Sequence, residues 1–266
     1  GFTESIEKYT EVIYYFLKMR YHVYIIEHCG HGFSYRLVEN KSLVHVDSYE
    51  RYVEDFMFVA EYAKREHEDL PFYLYGHSMG GGIAAVVSAE SVDFFSKVVL
   101  TSPMIRPVTG KLPWTVAKKG CEKSCKEGKA ADFIGEPTSY QGRENFEESC
   151  SLSKARFDYY QDKKFNEVHY QTCAASYGWM NEAVRMNDYL QKEGWKKIVV
   201  PMLVFQAENE YLVSKEEQDR FVKKIAKKGI SDSKLVKVPG CKHEIYNADD
   251  ETVMKYWKKI FAFFEK

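Results

Sequence analysis

Hydrophobic positions along the chain switch repeatedly between two periods. From Ser5 to Met19, the residues Tyr9, Val12, Ile13, Phe16 and Leu17 recur at helical spacing. The run His22-Val-Tyr-Ile-Ile26 predicts a short buried strand, and it leads into Glu27-His-Cys-Gly-His-Gly-Phe-Ser34, whose paired glycines mark a loop. Asp47 or Ser48 is placed to cap a long helix whose inner face carries Tyr52, Val53, Phe56, Val59, Ala60 and Ala63. Pro71-Phe-Tyr-Leu-Tyr75 predicts the next strand. It breaks at Gly76, and a helix of small residues follows through Ala84, Ala85 and Ser88. Lys97–Thr101 predicts a further strand. After a long irregular stretch, Val199-Pro-Met-Leu-Val-Phe205 restores the buried-strand pattern. Ser214-Lys-Glu-Glu217 is a capping-box sequence opening a helix with Phe221, Val222 and Ile225 inside and Gly229 just beyond its end. Leu235–Val238 predicts a last strand, and Val253, Trp257, Ile260, Phe261 and Phe264 give an amphipathic C-terminal helix.

Strands that alternate with helices predict an α/β fold with a mostly parallel sheet and helices on both faces. The stretch between the two halves differs. It carries Pro107, Pro113 and Pro137, scattered glycines and much Lys, Glu and Tyr, with weak helical periodicity. It reads as an insertion: residues 1–106 and 191–266 form a discontinuous core, and 107–190 form a helical cap.

Composition narrows the function classes. Lys+Arg is 38 and Asp+Glu 39 in 266 residues, a net charge of −1. A dedicated nucleic-acid binder needs a basic excess to displace phosphate counterions, so no nucleic-acid partner is expected. No apolar run approaches the roughly 20 residues of a membrane helix. The six cysteines are irregularly spaced, and Cys121 and Cys125 lack the partners of a zinc motif. Free thiols in a reducing cytosol, and hence a cytoplasmic location, are the expectation.

The chemistry concentrates in Leu74-Tyr75-Gly76-His77-Ser78-Met79-Gly80-Gly81-Gly82. It contains Gly-x-Ser-x-Gly between a predicted strand and a predicted helix, the context in which this motif forms a nucleophile elbow. Ser78 then sits on a sharp turn, with Gly76, His77 and Gly80 shaping it, and the Met79 N–H is placed as an oxyanion donor at a helix N-terminus. A serine hydroxyl needs a base, and the base an orienting acid. Among the eight histidines only His169 and His243 lie well after Ser78. His169 falls in the insertion. His243 follows the last strand, at the sheet edge where sites of open α/β sheets gather, and is taken as the base. The loop after Met202–Phe205 contains no aspartate, so the acid is Glu208 or Glu210.

These residues resemble the α/β-hydrolase superfamily, and within it the monoacylglycerol lipase and bacterial lysophospholipase group. Gly1-Phe-Thr-Glu-Ser5 with Lys8-Tyr9 is similar to the end of that group's oxyanion loop, and Gly30-His-Gly-Phe-Ser34 to its glycine-rich support loop. Leu100-Thr-Ser-Pro-Met104 is similar to the strand leading into the cap, and Ser153 to Arg156 with Tyr159, Tyr160, Trp179 and Glu182 to the cap of the lysophospholipase branch. Gln206–Glu210 and Gly240–Glu244 resemble the acid and histidine loops. The resemblance puts the acid on Glu210, where aspartate is usual, and a second oxyanion N–H on Phe2. The support loop's usual Asp and Arg fall on Glu27 and Cys29, a departure expected to alter stability more than chemistry. It implies a serine esterase acting on a small-molecule lipid ester with one acyl chain, under a helical cap over an apolar tunnel, with no metal or organic cofactor.

Two other functions fit the same residues. One is an esterase, thioesterase or peptidase of this fold acting on a small acyl group, separated from the first by its dependence on chain length. The other is a non-catalytic binding protein of this fold, which no serine-directed probe labels. An apolar cap rim of Leu112, Pro113 and Trp114 is suited to transient contact with a membrane surface. The Lys118-Lys119 pair and Lys123 read as a solvated face. The chain opens on Gly1 rather than Met. In the fold implied by the resemblance, a central strand precedes Gly1, between His22–Ile26 and Phe72–Tyr75, and two further strands precede that one. Without it two strand edges face a gap, and the expectation is a longer natural chain or a poorly folded, inactive one.

Overall fold

The computed structural model describes residues 1–266. Its centre is a four-stranded parallel sheet: β1 (Tyr73–His77), β2 (Lys97–Thr101), β3 (Met202–Ala207) and β4 (Lys234–Val238), in that order. Leu74 pairs with Val98, Val98 with Met202, and Leu203 with Lys234, all in parallel register. These are predicted strands, and the near-continuous apolar character of the central pair, β2 and β3, has a simple cause, because both of their faces are covered.

The alternation of side chains divides the core in two. Leu74, Val98, Leu100, Met202 and Val204 face α2 (Tyr49–Glu66), α3 (Ser78–Glu90) and α7 (Lys215–Ala226). Val99, Leu203 and Phe205 face α1 (Thr10–Lys18) and α8 (Asp250–Phe264). The second core is strongly aromatic: Tyr256 packs edge-on to Phe205 at 4.7 Å, and Phe16 meets Trp257 at 5.3 Å. At the start of α7, the Ser214 hydroxyl accepts from the Glu217 amide at 3.3 Å. The Glu217 carboxylate does not return the bond. It is held by Arg106 and Arg220, so only half of the capping box forms. At α2, Ser48 is the extended residue before the helix, but its hydroxyl turns to Glu50 and Asp47 holds Arg51.

The segment between β2 and β3 contributes α4 (Trp114–Lys126), α5 (Lys154–Asn166) and α6 (Tyr177–Tyr189). Of these, α6 is built into the main core: Ala183, Val184 and Met186 share one apolar cluster with α3. It anchors the inserted segment. α5 is tied down differently, by Arg156, which spans Glu11 of α1 at 2.6 and 2.8 Å and the Ala248 carbonyl at 2.9 Å.

The structure departs from the pattern at His22–Ile26, which forms no strand. Tyr24 and Ile25 are 41% and 36% exposed rather than buried. The reason is cooperative. A strand exists only through hydrogen bonds to a neighbour, and no strand lies beside this segment. Between it and the outer edge of β1 lies a cavity of about 550 Å³, lined by Val23, Ile25, Tyr73 and Tyr75 among others. No other residues close the sheet there.

Candidate active site

β1 ends at His77 and α3 begins at Ser78, so the turn between them has no spare residue. Ser78 takes φ 50°, a left-handed conformation that costs a non-glycine residue of order 1 kcal/mol. The turn closes because backbone crosses backbone. A Cβ on Gly76 would lie 2.7 Å from the Gly80 carbonyl oxygen and 2.9 Å from the Ala84 methyl. Gly80 has more room than its motif position suggests: its nearest neighbour to an added Cβ is His28 at 4.0 Å, and its part is to bring its carbonyl against Gly76. Gly76→Ala is therefore expected to cost about 1–3 kcal/mol, as overpacking does. It should lower the denaturant midpoint and ester turnover together, whereas an unchanged midpoint would mean that the elbow gives way freely.

The loop after β3 carries both candidate acids, and they point to different tasks. Glu208 accepts the Gly240 amide at 2.7 Å and braces the loop that bears His243. Glu210 reaches the ring itself: its Oε2 lies 2.7 Å from His243 Nδ1, and both side chains are almost completely buried. Its other oxygen accepts the amides of Leu212 at 2.9 Å and Val213 at 3.3 Å. Burial works to raise the Glu210 carboxyl, but the bond to His243 and these amides outweigh it and hold it below the usual glutamate value. The His243 backbone is fixed from below, where Ser102 Oγ donates to its carbonyl at 2.8 Å.

Ser78, His243 and Phe2 line one cavity of about 1070 Å³. Met79 is buried directly after Ser78, in the first turn of α3, where amides lack intrahelical acceptors. Phe2 packs its ring 4.2 Å from Trp179. His77 is wholly buried beside His243, ring centroids 4.8 Å apart, and burial keeps it well below the usual histidine range and so neutral. Burial likewise depresses His28 to about 3 and His31 to about 4. His169 stands elsewhere. Its Nδ1 meets Glu167 at 2.6 Å and its ring stacks on Phe33.

The glycine-rich loop around Gly30–Ser34 is held by side-chain bonds to its backbone. Glu27 accepts the amides of Ile6 at 3.0 Å and Phe33 at 2.7 Å, and Cys29 is buried without a charge partner. Arg36 donates to the carbonyls of Gly30 at 2.7 Å and Gly32 at 3.0 Å. At the cavity mouth, Leu112 and Val116 are exposed, while Trp114 is partly covered by the Arg106 guanidinium at 5.4 Å. Of the residues of the expected rim, Leu112 and Pro113 are exposed and Trp114 is half-buried, and exposed Val108 and Val116 line the cavity with Leu112.

Pattern reading passed over the polar residues of this lining. On α5, Phe157, Tyr160, Gln161 and Lys164 follow a helical i, i+3, i+4, i+7 spacing and all line the cavity. That spacing was the available signal, masked because two of the four side chains are polar.

Residues 1–250 match the family model described as serine aminopeptidase, S33. The chain belongs to this hydrolase family. Among relatives of the hydrolase, lysophospholipase L2 of Escherichia coli strain K12 is 25% identical over all of this chain and 78% of its own length. Monoglyceride lipase of Mus musculus is 32% identical over 40% of this chain and 33% of its own length. Among solved structures, a carboxyl esterase from Bacillus coagulans superposes with TM-score 0.76 at 19% identity, covering 100% of this chain and 87% of its own. The monoacylglycerol lipase of Paleococcus ferrophilus gives TM-score 0.74 at 17% identity, over 99% and 90%. These likenesses establish the α/β-hydrolase fold. No helix of the hydrolase is long and apolar enough to cross a membrane.

Proposed function

We propose that this hydrolase cleaves carboxylic esters of single-chain lipids, lysophospholipids or monoacylglycerols, through an acyl-enzyme on Ser78. One observation carries the reading: a serine on a strained turn and a carboxylate-braced histidine open into one large, partly apolar cavity. Ser78 Oγ attacks the ester carbonyl and His243 takes its proton, while Glu210 holds the ring through Nδ1 and stabilises the imidazolium. The amides of Met79 and Phe2 receive the oxyanion, a contribution of roughly 3–4 kcal/mol per donor. When the intermediate collapses, the C–O bond breaks and the alcohol leaves with the proton from His243. Water, deprotonated by His243, then attacks the acyl carbonyl, and the fatty acid is released with Ser78 restored. No step calls for a metal or an organic cofactor. Apolar residues of α4 and its approach, Leu112, Val116 and Ala117, suit an acyl chain, and exposed Leu112, Pro113 and Val116 suit transient contact with a lipid surface.

The names of the relatives support lipid esters over other acyl substrates. A chain-length series tests it. Hydrolysis of p-nitrophenyl esters should rise from acetyl to decanoyl by at least about tenfold in kcat/KM, since each buried methylene is worth about 0.8 kcal/mol and about two of them already give that factor. A series that peaks at acetyl would instead assign a small-acyl esterase, and the absence of labelling by a fluorophosphonate in folded protein would assign a binding protein.

A further inference from the structure

The cavity is not uniformly apolar. Beside the apolar residues of α4, its lining includes Gln161 and Lys164 of α5, with Glu144 next to them. Lys164 is 4% exposed and Gln161 3%, deep for residues of this polarity. A buried ammonium is costly unless its donors are used. Lys164 Nζ has three N–H groups and meets one carboxylate oxygen, Glu144 Oε1 at 2.8 Å, with the Tyr140 ring 5.5 Å away. The Gln161 carbonyl accepts the Glu144 amide at 3.0 Å, so its NH₂ is the end left for the cavity. Next to Gln161, the ring of Tyr160 faces a second ammonium, that of half-buried Lys8, at 5.0 Å. Lys8 in turn bonds Glu244, the neighbour of His243, at 2.5 Å, which connects this polar wall to the site of ester cleavage.

The unused hydrogen-bonding capacity on α5 is therefore of the donor type: two N–H groups of an ammonium paired with Glu144, and the NH₂ of Gln161, in a lining that also carries Glu4, Glu148 and Glu244. A glycerol group brings hydroxyls that neutral partners satisfy. A phosphodiester brings anionic oxygens, which form charge-assisted bonds with the spare N–H groups of an ammonium and an amide. We propose that Lys164 and Gln161 form a headgroup subsite for the phosphodiester of a lysophospholipid, and that the hydrolase prefers lysophospholipids to monoacylglycerols of the same chain length. The proposal rests on the reading of the site as a single-chain lipid esterase.

The test compares kcat/KM for 1-decanoyl-lysophosphatidylcholine and 1-decanoylglycerol, both monomeric, and reads their ratio, from which any loss of folded enzyme cancels. In the wild-type protein the ratio should favour the lysophospholipid at least tenfold. Lys164→Met should reduce it by a factor of ten or more, mainly through KM, and Lys164→Arg should keep it within threefold. Gln161→Leu should lower it several-fold, and it decides the matter if Lys164→Met does not fold. Glycerophosphocholine should inhibit p-nitrophenyl butyrate hydrolysis competitively, and glycerol at the same concentration should not. A wild-type ratio below one, or a ratio that neither Lys164→Met nor Gln161→Leu changes, overturns the subsite. Failure of the wild-type protein to hydrolyse p-nitrophenyl butyrate at all would instead overturn the esterase reading beneath it.

Discussion

Ser78→Ala is expected to abolish turnover of p-nitrophenyl esters, with a loss of roughly 10⁴-fold or more in kcat/KM, and to abolish covalent labelling by a fluorophosphonate. The size follows from the role proposed for the hydroxyl. Without it no acyl-enzyme forms, and only the oxyanion donors and the cavity are left to assist direct attack by water. The fold should tolerate the change. Alanine keeps the Cβ, so the left-handed turn at φ 50° is no more strained than before, and the hydroxyl that is lost faces the cavity. The melting temperature is the control. Retained activity in a variant that melts like the wild type would remove Ser78 from the mechanism, and with it the reading of the whole site.

Glu210→Gln should be the next most damaging change, and its comparison with Glu208→Gln is the sharper experiment. The glutamine is nearly isosteric and can still accept the amides of Leu212 and Val213, so the loop should hold. What it loses is the anion at 2.7 Å from His243 Nδ1. An amide there no longer stabilises the imidazolium, and its NH₂ favours the wrong tautomer of the ring. A fall in kcat of about 10³–10⁴-fold is expected, the scale seen when a triad acid becomes its amide. Glu208→Gln touches only an exposed bond to the Gly240 amide and should stay within about threefold. Equal losses in the two variants would mean that the loop, not the charge, matters. Stability carries a second signature. The Glu210 carboxyl is held below its unfolded value, so its contribution is present at neutral pH and fades as the pH falls through that depressed range. The gap in melting temperature between wild type and Glu210→Gln should therefore be widest near neutrality and narrow in acid.

Several features were legible from local pattern because their causes are local. The two central strands, Lys97–Thr101 and Met202–Ala207, read as apolar runs because they are buried on both faces, whereas the edge strand Lys234–Val238 mixes half-buried Leu235, Val236 and Val238 with exposed lysines. The elbow was legible because only glycine leaves room where the Gly76 backbone passes the Gly80 carbonyl. His243 stood out by its place after the last strand. Where a feature depended on a distant partner, pattern failed. His22–Ile26 has the composition of a strand and forms none, because composition supplies no neighbour to bond. Half of the capping box at Ser214 was taken over by Arg106, more than a hundred residues away in sequence.

By itself, then, the sequence determined the α/β class, the order of the four sheet strands and the helices around them, and the positions of a serine and a histidine at the same edge of a sheet. These rest on spacings of one to four residues, which backbone sterics and side-chain periodicity decide. Only the tertiary structure separated Glu208 from Glu210, two like residues two positions apart, by ending one carboxylate on the Gly240 amide and the other on the His243 ring. Only it turned Gln161 and Lys164 inward to a cavity shared with Ser78. Both outcomes depend on distances between segments far apart in the chain, and those are set by how the helices and loops pack on the sheet, not by any residue's own preference.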